Sequence, residues 1–126
     1  MVNIKNAEEL LRNAESSLDR KARELAINAL NAALKAVNPR VIIQSQVKVN
    51  RDTLKIGNLS FNLQEFENIL VVGGGKASGS MAEALEELLG DRIKDGTINV
   101  PYSYPAHQTK KVKLHHAGHP LSLIHI

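Results

Sequence analysis

Apolar residues in the N-terminal third of the chain recur every three or four positions, which is the spacing of one face of an α-helix. The face runs from position 18 to position 37 and is rich in alanine and leucine. Asn38-Pro39 ends it, because proline disfavours the helical conformation of the residue before it. Ser16 followed by Asp19 has the spacing of an N-cap and its reciprocal carboxylate. The pattern therefore predicts a long amphipathic helix, preceded by a shorter one that opens at Asn6.

The period changes to two in the next segment, as in strands with one exposed face. Alternating stretches at 47–50, 53–56 and 59–63 are separated by turns, the second of which is Gly57-Asn58. They predict a small antiparallel hairpin or meander. The unbroken apolar run at 69–72 instead suits a central parallel strand that is covered on both faces.

A glycine run joins this strand to another helical pattern. We expect the helix to extend from about Lys76 to Leu89 and to end at Gly90. Further short strands are predicted at 97–100 and 111–116. Strand, crossover helix and strand form the minimal unit of a parallel sheet, so the pattern predicts the α/β class.

The glycine run also predicts an anion-binding site, because the first N–H groups of a helix have no intrahelical acceptor. No Ser, Thr, Asp or Asn directly precedes Lys76 to cap them. A cation in the first turn costs about 0.3–1 kcal/mol against the helix dipole, which a bound phosphate or carboxylate would offset. The candidate residues are Lys76, Ser78 and the backbone of Gly73, Gly74 and Gly75.

Two common glycine motifs fit this loop poorly. A Walker A loop has Ser or Thr after its lysine, where this chain has Ala77. A dinucleotide fingerprint has its third glycine where Ser78 stands, and Gly79 comes one position late. The alternative that small residues only let the helix pack closely on the strand therefore stays open.

Composition narrows the classes of function. The 126 residues include no cysteine, which excludes disulfides, thiolate metal sites and cysteine nucleophiles. The net charge is only +3 and aromatic residues make up 3%, so we expect no nucleic-acid partner. The basic cluster at 110–113 is interpreted as a solvated strand edge. No apolar run is long enough for a membrane span and the N-terminus lacks a signal-peptide core, which predicts a cytoplasmic protein without a membrane partner.

Two clusters of polar residues are not interpreted as catalytic. Three histidines fall within positions 115–119, but neighbouring strand residues point to opposite faces, so we predict no metal site. The glutamates at 83, 86 and 87 follow helical spacing and are expected to form a solvated outer face.

The segment Val71–Ile93, with the sequence VVGGGKASGSMAEALEELLGDRI, resembles the N-terminal domain of the glycerate 2-kinases. The segments Ala32–Arg40 and Ala117–Pro120 resemble it in matching order and spacing. The resemblance implies a three-layer, Rossmann-like parallel sheet, incomplete here, with a long N-terminal helix and a small antiparallel hairpin. It also implies ATP-dependent phosphorylation of glycerate to 2-phosphoglycerate with a divalent metal, taken as Mg²⁺, in the cleft between two domains.

Two residues match the family's motifs. Lys76 matches the lysine of the Gly-Lys-Ala motif at the active site and would stabilise the phosphoryl group or the glycerate carboxylate. His119 matches the His-Pro motif near the cleft, which implies a role in binding or positioning the substrate. The resemblance places the metal ligands outside this chain.

The resemblance also implies a division of the chain. Residues 1–120 would form the N-terminal part of the family's first domain, and the C-terminal domain would be absent. Residues 121–126 depart from the family's pattern, and we expect them to be a non-native tail. Such a fragment is expected to be inactive alone.

Two other functions stay open. One is an NAD(P)H-dependent hydroxypyruvate reductase, a label that some family members carry. It is disfavoured because Asn99, rather than an acidic residue, follows the glycines at about the spacing of a ribose ligand. The other is an anion-binding module without catalytic activity.

Overall fold

The structure is a computed structural model that describes residues 4–102 and 106–118. The described helices are α1 (Ala7–Arg12), α2 (Ser17–Ala36), α3 (Pro39–Gln46) and α4 (Ser78–Leu89). The described strands are β1 (Val47–Asn50), β2 (Thr53–Ile56), β3 (Leu59–Asn62), β4 (Ile69–Gly74), β5 (Ile93–Pro101) and β6 (Val112–Ala117). In these residues, no helix combines the length and the apolar content that crossing a bilayer requires.

The long helix α2 is confirmed with its predicted start. The Ser16 hydroxyl oxygen accepts a hydrogen bond from the Asp19 backbone N–H at 3.1 Å. Pro39 ends this helical segment but also begins α3, which the sequence pattern did not predict. The Asn38 side chain accepts the Arg40 backbone N–H at 3.0 Å, so Asn-Pro acts here as an N-cap followed by the first helical residue.

The first three strands form an antiparallel meander in the order β1-β2-β3, as predicted. Val47 pairs with Ile56, and Thr53 pairs with Asn62. Val47 and Leu54 are buried and belong to the same hydrophobic cluster as residues of the parallel sheet. The meander is therefore attached to the rest of the fold through these apolar side chains.

The other three strands form a parallel sheet in the order β4-β5-β6. The central strand β5 begins at Ile93, four residues before the predicted start. The apolar pattern does not predict this early part, because Lys94, Asp95 and Gly96 interrupt it. Ile93 is fully buried, and Gly96 lies where an added Cβ would stand 2.7 Å from the Val71 carbonyl oxygen.

Helix α4 packs on one face of the parallel sheet, and α3 packs against α4. The core contains Ala82, Leu89, Ile98, Val100 and Val112, together with the residues named above. The α/β class, the parallel sheet, the long helix and the antiparallel unit are confirmed.

The position of β4 differs from the expectation of a central strand that is covered on both faces. It lies at the edge of the described sheet, and Leu70 and Val72 are 64% and 77% exposed. The physical reason is that α4 covers the face of Val71, whereas no described element covers the opposite face. The third layer therefore stays a prediction.

The apolar face predicted on α2 is also open in the described part of the chain. Its leucines and valine are 40–77% exposed, and Ile27 is the buried residue of this helix. The helical period was correct, but the neighbours α1 and α3 cover little of the face.

Candidate anion-binding site

The sequence suggests that the glycine run lies wholly in a loop, but part of it lies in the sheet. Gly73 and Gly74 are the last residues of β4, and they pair with Ile98 and Asn99 of β5. Of the three glycines, Gly75 lies in the turn, with a φ of +116° that residues with a Cβ rarely adopt. Its N–H donates to the Asn99 carbonyl oxygen at 3.1 Å. The chain thus leaves the sheet at Gly75 and turns through Lys76 and Ala77 before α4 begins.

Packing among the described residues does not require the first two glycines. A Cβ at Gly73 would meet the nearest atom of Ile98 at 3.6 Å, and a Cβ at Gly74 would meet that of Asn99 at the same distance. Both are ordinary van der Waals contacts. The interpretation that these glycines exist only for close packing therefore loses its main support, and an exposed backbone open to a ligand is favoured.

Ser78 holds the turn in place. Its hydroxyl lies 2.7 Å from the Gly75 carbonyl oxygen and 2.9 Å from that of Asn99, and its backbone N–H donates to Gly75 at 3.2 Å. Both donors of Ser78 thus already have acceptors. The contacts assign Ser78 to fixing the turn, and its predicted contact with a phosphate stays a prediction.

The sequence predicts that Lys76 lies in the first turn of α4. In the structure Lys76 precedes the helix. The helix begins at Ser78, its N-cap is Ala77, and no side chain among the described residues caps it. Lys76 is exposed. The dipole cost of a helical cation is therefore smaller than predicted, but an exposed ammonium group still stands beside an uncapped helix N-terminus.

The carboxyl ends of the three parallel strands share one edge of the sheet with this turn. In parallel α/β sheets, ligands bind beyond that edge. At the same edge the ring of Tyr102 stacks on that of His116, with centroids 5.9 Å apart. His119 lies outside the described residues. In the part of the chain that the structure describes, no group of three His, Cys, Asp or Glu residues is placed to hold a metal ion.

Sequence reasoning missed the residues that hold the connection between β5 and β6 against α4. We call residues 106–111 of this connection the crossover strap. Glu86 accepts the backbone N–H groups of Lys110, Lys111 and Val112, each at 2.7 Å. Glu83 accepts the Gln108 N–H, also at 2.7 Å. The prediction that these two glutamates form a solvated face was wrong.

The missed contacts have a physical explanation. The strap has no helix or strand of its own, so the glutamates of α4 accept hydrogen bonds that a backbone ladder would otherwise provide. Burial opposes ionisation of Glu86, but the three N–H donors outweigh it and hold the pKa of this carboxyl below its ordinary value. Every residue except proline carries an N–H, so no sequence signal identifies these donors as partners of a glutamate.

His107, at the start of the strap, was also missed. Its imidazole lies against Gly79, where a Cβ would stand 2.0 Å from the ring. The glycine that comes one position late for a dinucleotide fingerprint is therefore required by packing. A pattern search along the chain could not reveal this, because the two residues are 28 positions apart.

An open groove of about 680 Å³ lies along α4 from Glu83 onwards. It is lined by charged residues, including Arg40, Glu87 and Lys111. Arg40 of α3 forms an ion pair with Glu87, and Lys111 forms one with Asp91. Because these charges pair with each other and Lys76 does not line the groove, we do not regard it as the candidate site.

Comparison with known proteins gives consistent similarities. Residues 25–122 match the family described as "Domain of unknown function (DUF4147)". The chain is 30% identical to the glycerate 2-kinase of Pyrococcus horikoshii over 79% of its own length and 21% of that protein. It is 33% identical to the glycerate kinase of Danio rerio over 69% of its own length and 16% of that protein.

Two solved structures are similar in fold. A protein from Pyrococcus horikoshii superposes with a TM-score of 0.68 at 30% identity, over 79% of this chain and 22% of that one. The glycerate kinase of Thermotoga maritima superposes with a TM-score of 0.53 at 26% identity, over 78% and 20%. The chain thus spans about a fifth of the length of the relatives that it matches.

Proposed function

We propose that this chain, which belongs to the DUF4147 family and corresponds to the N-terminal region of glycerate kinases, provides the anion-binding turn of a glycerate kinase. The proposed reaction is ATP-dependent phosphorylation of glycerate to 2-phosphoglycerate. The curated relatives named glycerate kinase are about five to six times as long as the matched segment. We therefore assign the reaction to a protein of that length, with residues 1–120 as part of its first domain, and expect no turnover by the 126 residues alone.

The observation that carries the proposal is the combination at the end of β4. An uncapped helix N-terminus, an exposed glycine backbone that packing does not require, and the exposed Lys76 lie within a few residues of each other. Backbone N–H groups and an ammonium group are the donors that phosphate and carboxylate bind. Both anions occur in the proposed reaction, because ATP brings phosphates and glycerate brings a carboxylate.

Phosphoryl transfer needs positive charge on oxygens that carry charge in the transition state, and it needs little covalent chemistry from the protein. In this proposal Lys76 supplies the charge, and the first-turn N–H groups of α4 that follow Ser78 orient the anion. Ser78 and Gly75 keep the turn rigid, so that these donors are in place before the substrate binds. His119, which lies outside the described residues, is proposed to position the substrate.

A metal ion is treated separately. The described residues do not place three His, Cys, Asp or Glu side chains together, and we derive no step through a metal here. ATP is a substrate in this proposal, and its phosphates fit the donors at the turn.

The reductase alternative gains no support from the geometry. Asn99 pairs with Gly74 at the end of β5, and its carbonyl oxygen accepts the Gly75 N–H. A dinucleotide fold commonly has Asp or Glu at the end of this strand to bind the ribose hydroxyls. The anion-binding module without catalysis uses the same turn and is distinguished only by an activity assay.

The proposal is tested with Lys76→Ala and, as a matched control, Lys55→Ala on the exposed face of the meander. In the chain itself, titration with inorganic phosphate and with ATP should shift the ¹⁵N amide signals of residues 75–80. Lys76→Ala should weaken this binding, whereas Lys55→Ala should leave it unchanged. In the complete protein, Lys76→Ala should lower kcat about 10²–10³-fold, as for the loss of one transition-state donor. Unchanged turnover would remove Lys76 from the mechanism.

A further inference from the structure

The first turn of α4 is covered by a side chain that the proposed function does not use. The His107 imidazole packs on Gly79, with its Cδ2 and Nε2 atoms 2.0 Å and 2.3 Å from the position of an added Cβ. Gly79 is the second residue of α4. Its N–H is one of the first-turn donors that a helix directs at an anion. His107 therefore contacts the residue that carries part of the proposed anion-binding surface.

Glu83 holds this imidazole from the other side. The His107 Nδ1 atom lies 3.4 Å from a carboxylate oxygen of Glu83, and the two side chains are only 11% and 20% exposed. The other carboxylate oxygen accepts the Gln108 N–H at 2.7 Å. With Nδ1 turned toward the carboxylate, the opposite edge of the ring faces the first turn of α4. Glu83 and Gly79 thus fix both edges of the imidazole.

The arrangement affects an anion in two ways. Glu83 lies one helical turn after Gly79, and its charge repels an anion at the helix N-terminus unless other groups lie against it. His107 and the Gln108 N–H are two such groups, and Arg40 lies 3.9 Å away. The ring also covers Gly79, which is buried, and burial strengthens the hydrogen bonds that nearby N–H groups make.

We propose that His107 is a positioning residue of the anion-binding site. It fixes the first turn of α4 and separates a bound anion from the charge of Glu83. This inference rests on the proposed function, because the same N–H groups are assigned there to bind phosphate or carboxylate.

The test is ¹⁵N NMR titration of the full 126-residue chain with inorganic phosphate. His107→Ala should weaken phosphate binding about threefold to tenfold, as expected for the loss of one polar contact. His107→Asn should restore much of the affinity, because its side-chain N–H₂ group can face the Glu83 carboxylate as the Nδ1 atom does. Glu87→Gln is the matched control, since Glu87 lies on the same helix but pairs with Arg40, and it should bind as the wild type does.

A second variant tests the contact itself. Gly79→Ala places a methyl group where the imidazole lies, so it should weaken phosphate binding in the wild-type background. In the His107→Ala background the same change should have little effect, because the space is then free. Equal effects in the two backgrounds would show that the imidazole does not act through Gly79.

The outcomes distinguish this inference from the proposed function. If phosphate shifts no signal of residues 75–80 in the wild type, both are wrong. If the wild type binds phosphate and His107→Ala binds it equally, only this inference is wrong. A variant that unfolds at a lower temperature but keeps its phosphate affinity in the folded state would give His107 a purely structural role, which also overturns the inference.

Discussion

Replacing Glu86 by glutamine removes the charge that holds the crossover strap and keeps the side-chain size. The carboxylate accepts three backbone N–H groups, two at one oxygen and the Lys110 N–H at the other. Glutamine keeps one oxygen but places an N–H₂ group opposite one of the donors. A hydrogen bond to a charged group contributes about 1.5–3 kcal/mol, and the exposed position of Lys110 lets water replace part of the loss. We expect the free energy of unfolding to fall by about 2–3 kcal/mol.

Thermal unfolding followed by circular dichroism measures this effect. For a domain of this size, the expected loss corresponds to a Tm lower by about 6–12 °C. Glu87→Gln on the same helix is the control, and its largely exposed ion pair with Arg40 should change Tm by less than about 2 °C. A Glu86→Gln protein that unfolds within about 2 °C of the control would refute the view that the carboxylate holds the strap.

Three further predictions concern pH, the sheet and a helix cap. The pKa of Glu86 is lower in the folded protein than in the unfolded chain. The carboxylate therefore contributes stability above its unfolded pKa, and this contribution is lost as pH falls through the folded pKa. The Tm difference between wild type and Glu86→Gln should shrink from pH 7 to pH 3. Gly96→Ala should lower the free energy of unfolding, measured by urea denaturation, by about 2–4 kcal/mol, because its Cβ would stand 2.7 Å from the Val71 carbonyl oxygen. An unchanged free energy of unfolding would contradict the register of β4 and β5. Ser16→Ala should cost about 1 kcal/mol and lower helicity at 222 nm, and equal helicity would count against the cap.

Local signals along the chain were sufficient for much of the fold. The start of α2 at its serine cap, the end of α4 at Gly90 and the three strands of the meander follow from residues within a few positions of each other. These elements are encoded by hydrophobic period, capping and turn chemistry, which act locally. The start of α3 was also encoded locally, in Asn38-Pro39, but the same dipeptide serves as a stop signal and was interpreted only in that sense.

The candidate site stays a prediction, but the structure shows where its described residues lie. The sequence identified Lys76 and the glycines because a glycine run between a strand and a helix has few structural explanations. It placed all three glycines in the turn, whereas the register with β5 keeps two of them in the strand. Register is a property of two strands together, so one strand alone could not indicate where pairing ends.

The amino-acid sequence by itself determined the α/β class, the period of the long helix and of the meander strands, and the helix after the glycine run. The anion-binding role of the turn before α4 stays a proposal. The tertiary structure decided which apolar faces are covered, as the exposed Leu70 and Val72 show. It also decided that Glu86 binds the strap and that His107 packs on Gly79. Periodicity and capping involve neighbours in the chain, and are therefore readable from it. Contacts between residues more than twenty positions apart depend on how the elements pack, and backbone donors carry no signature in the sequence.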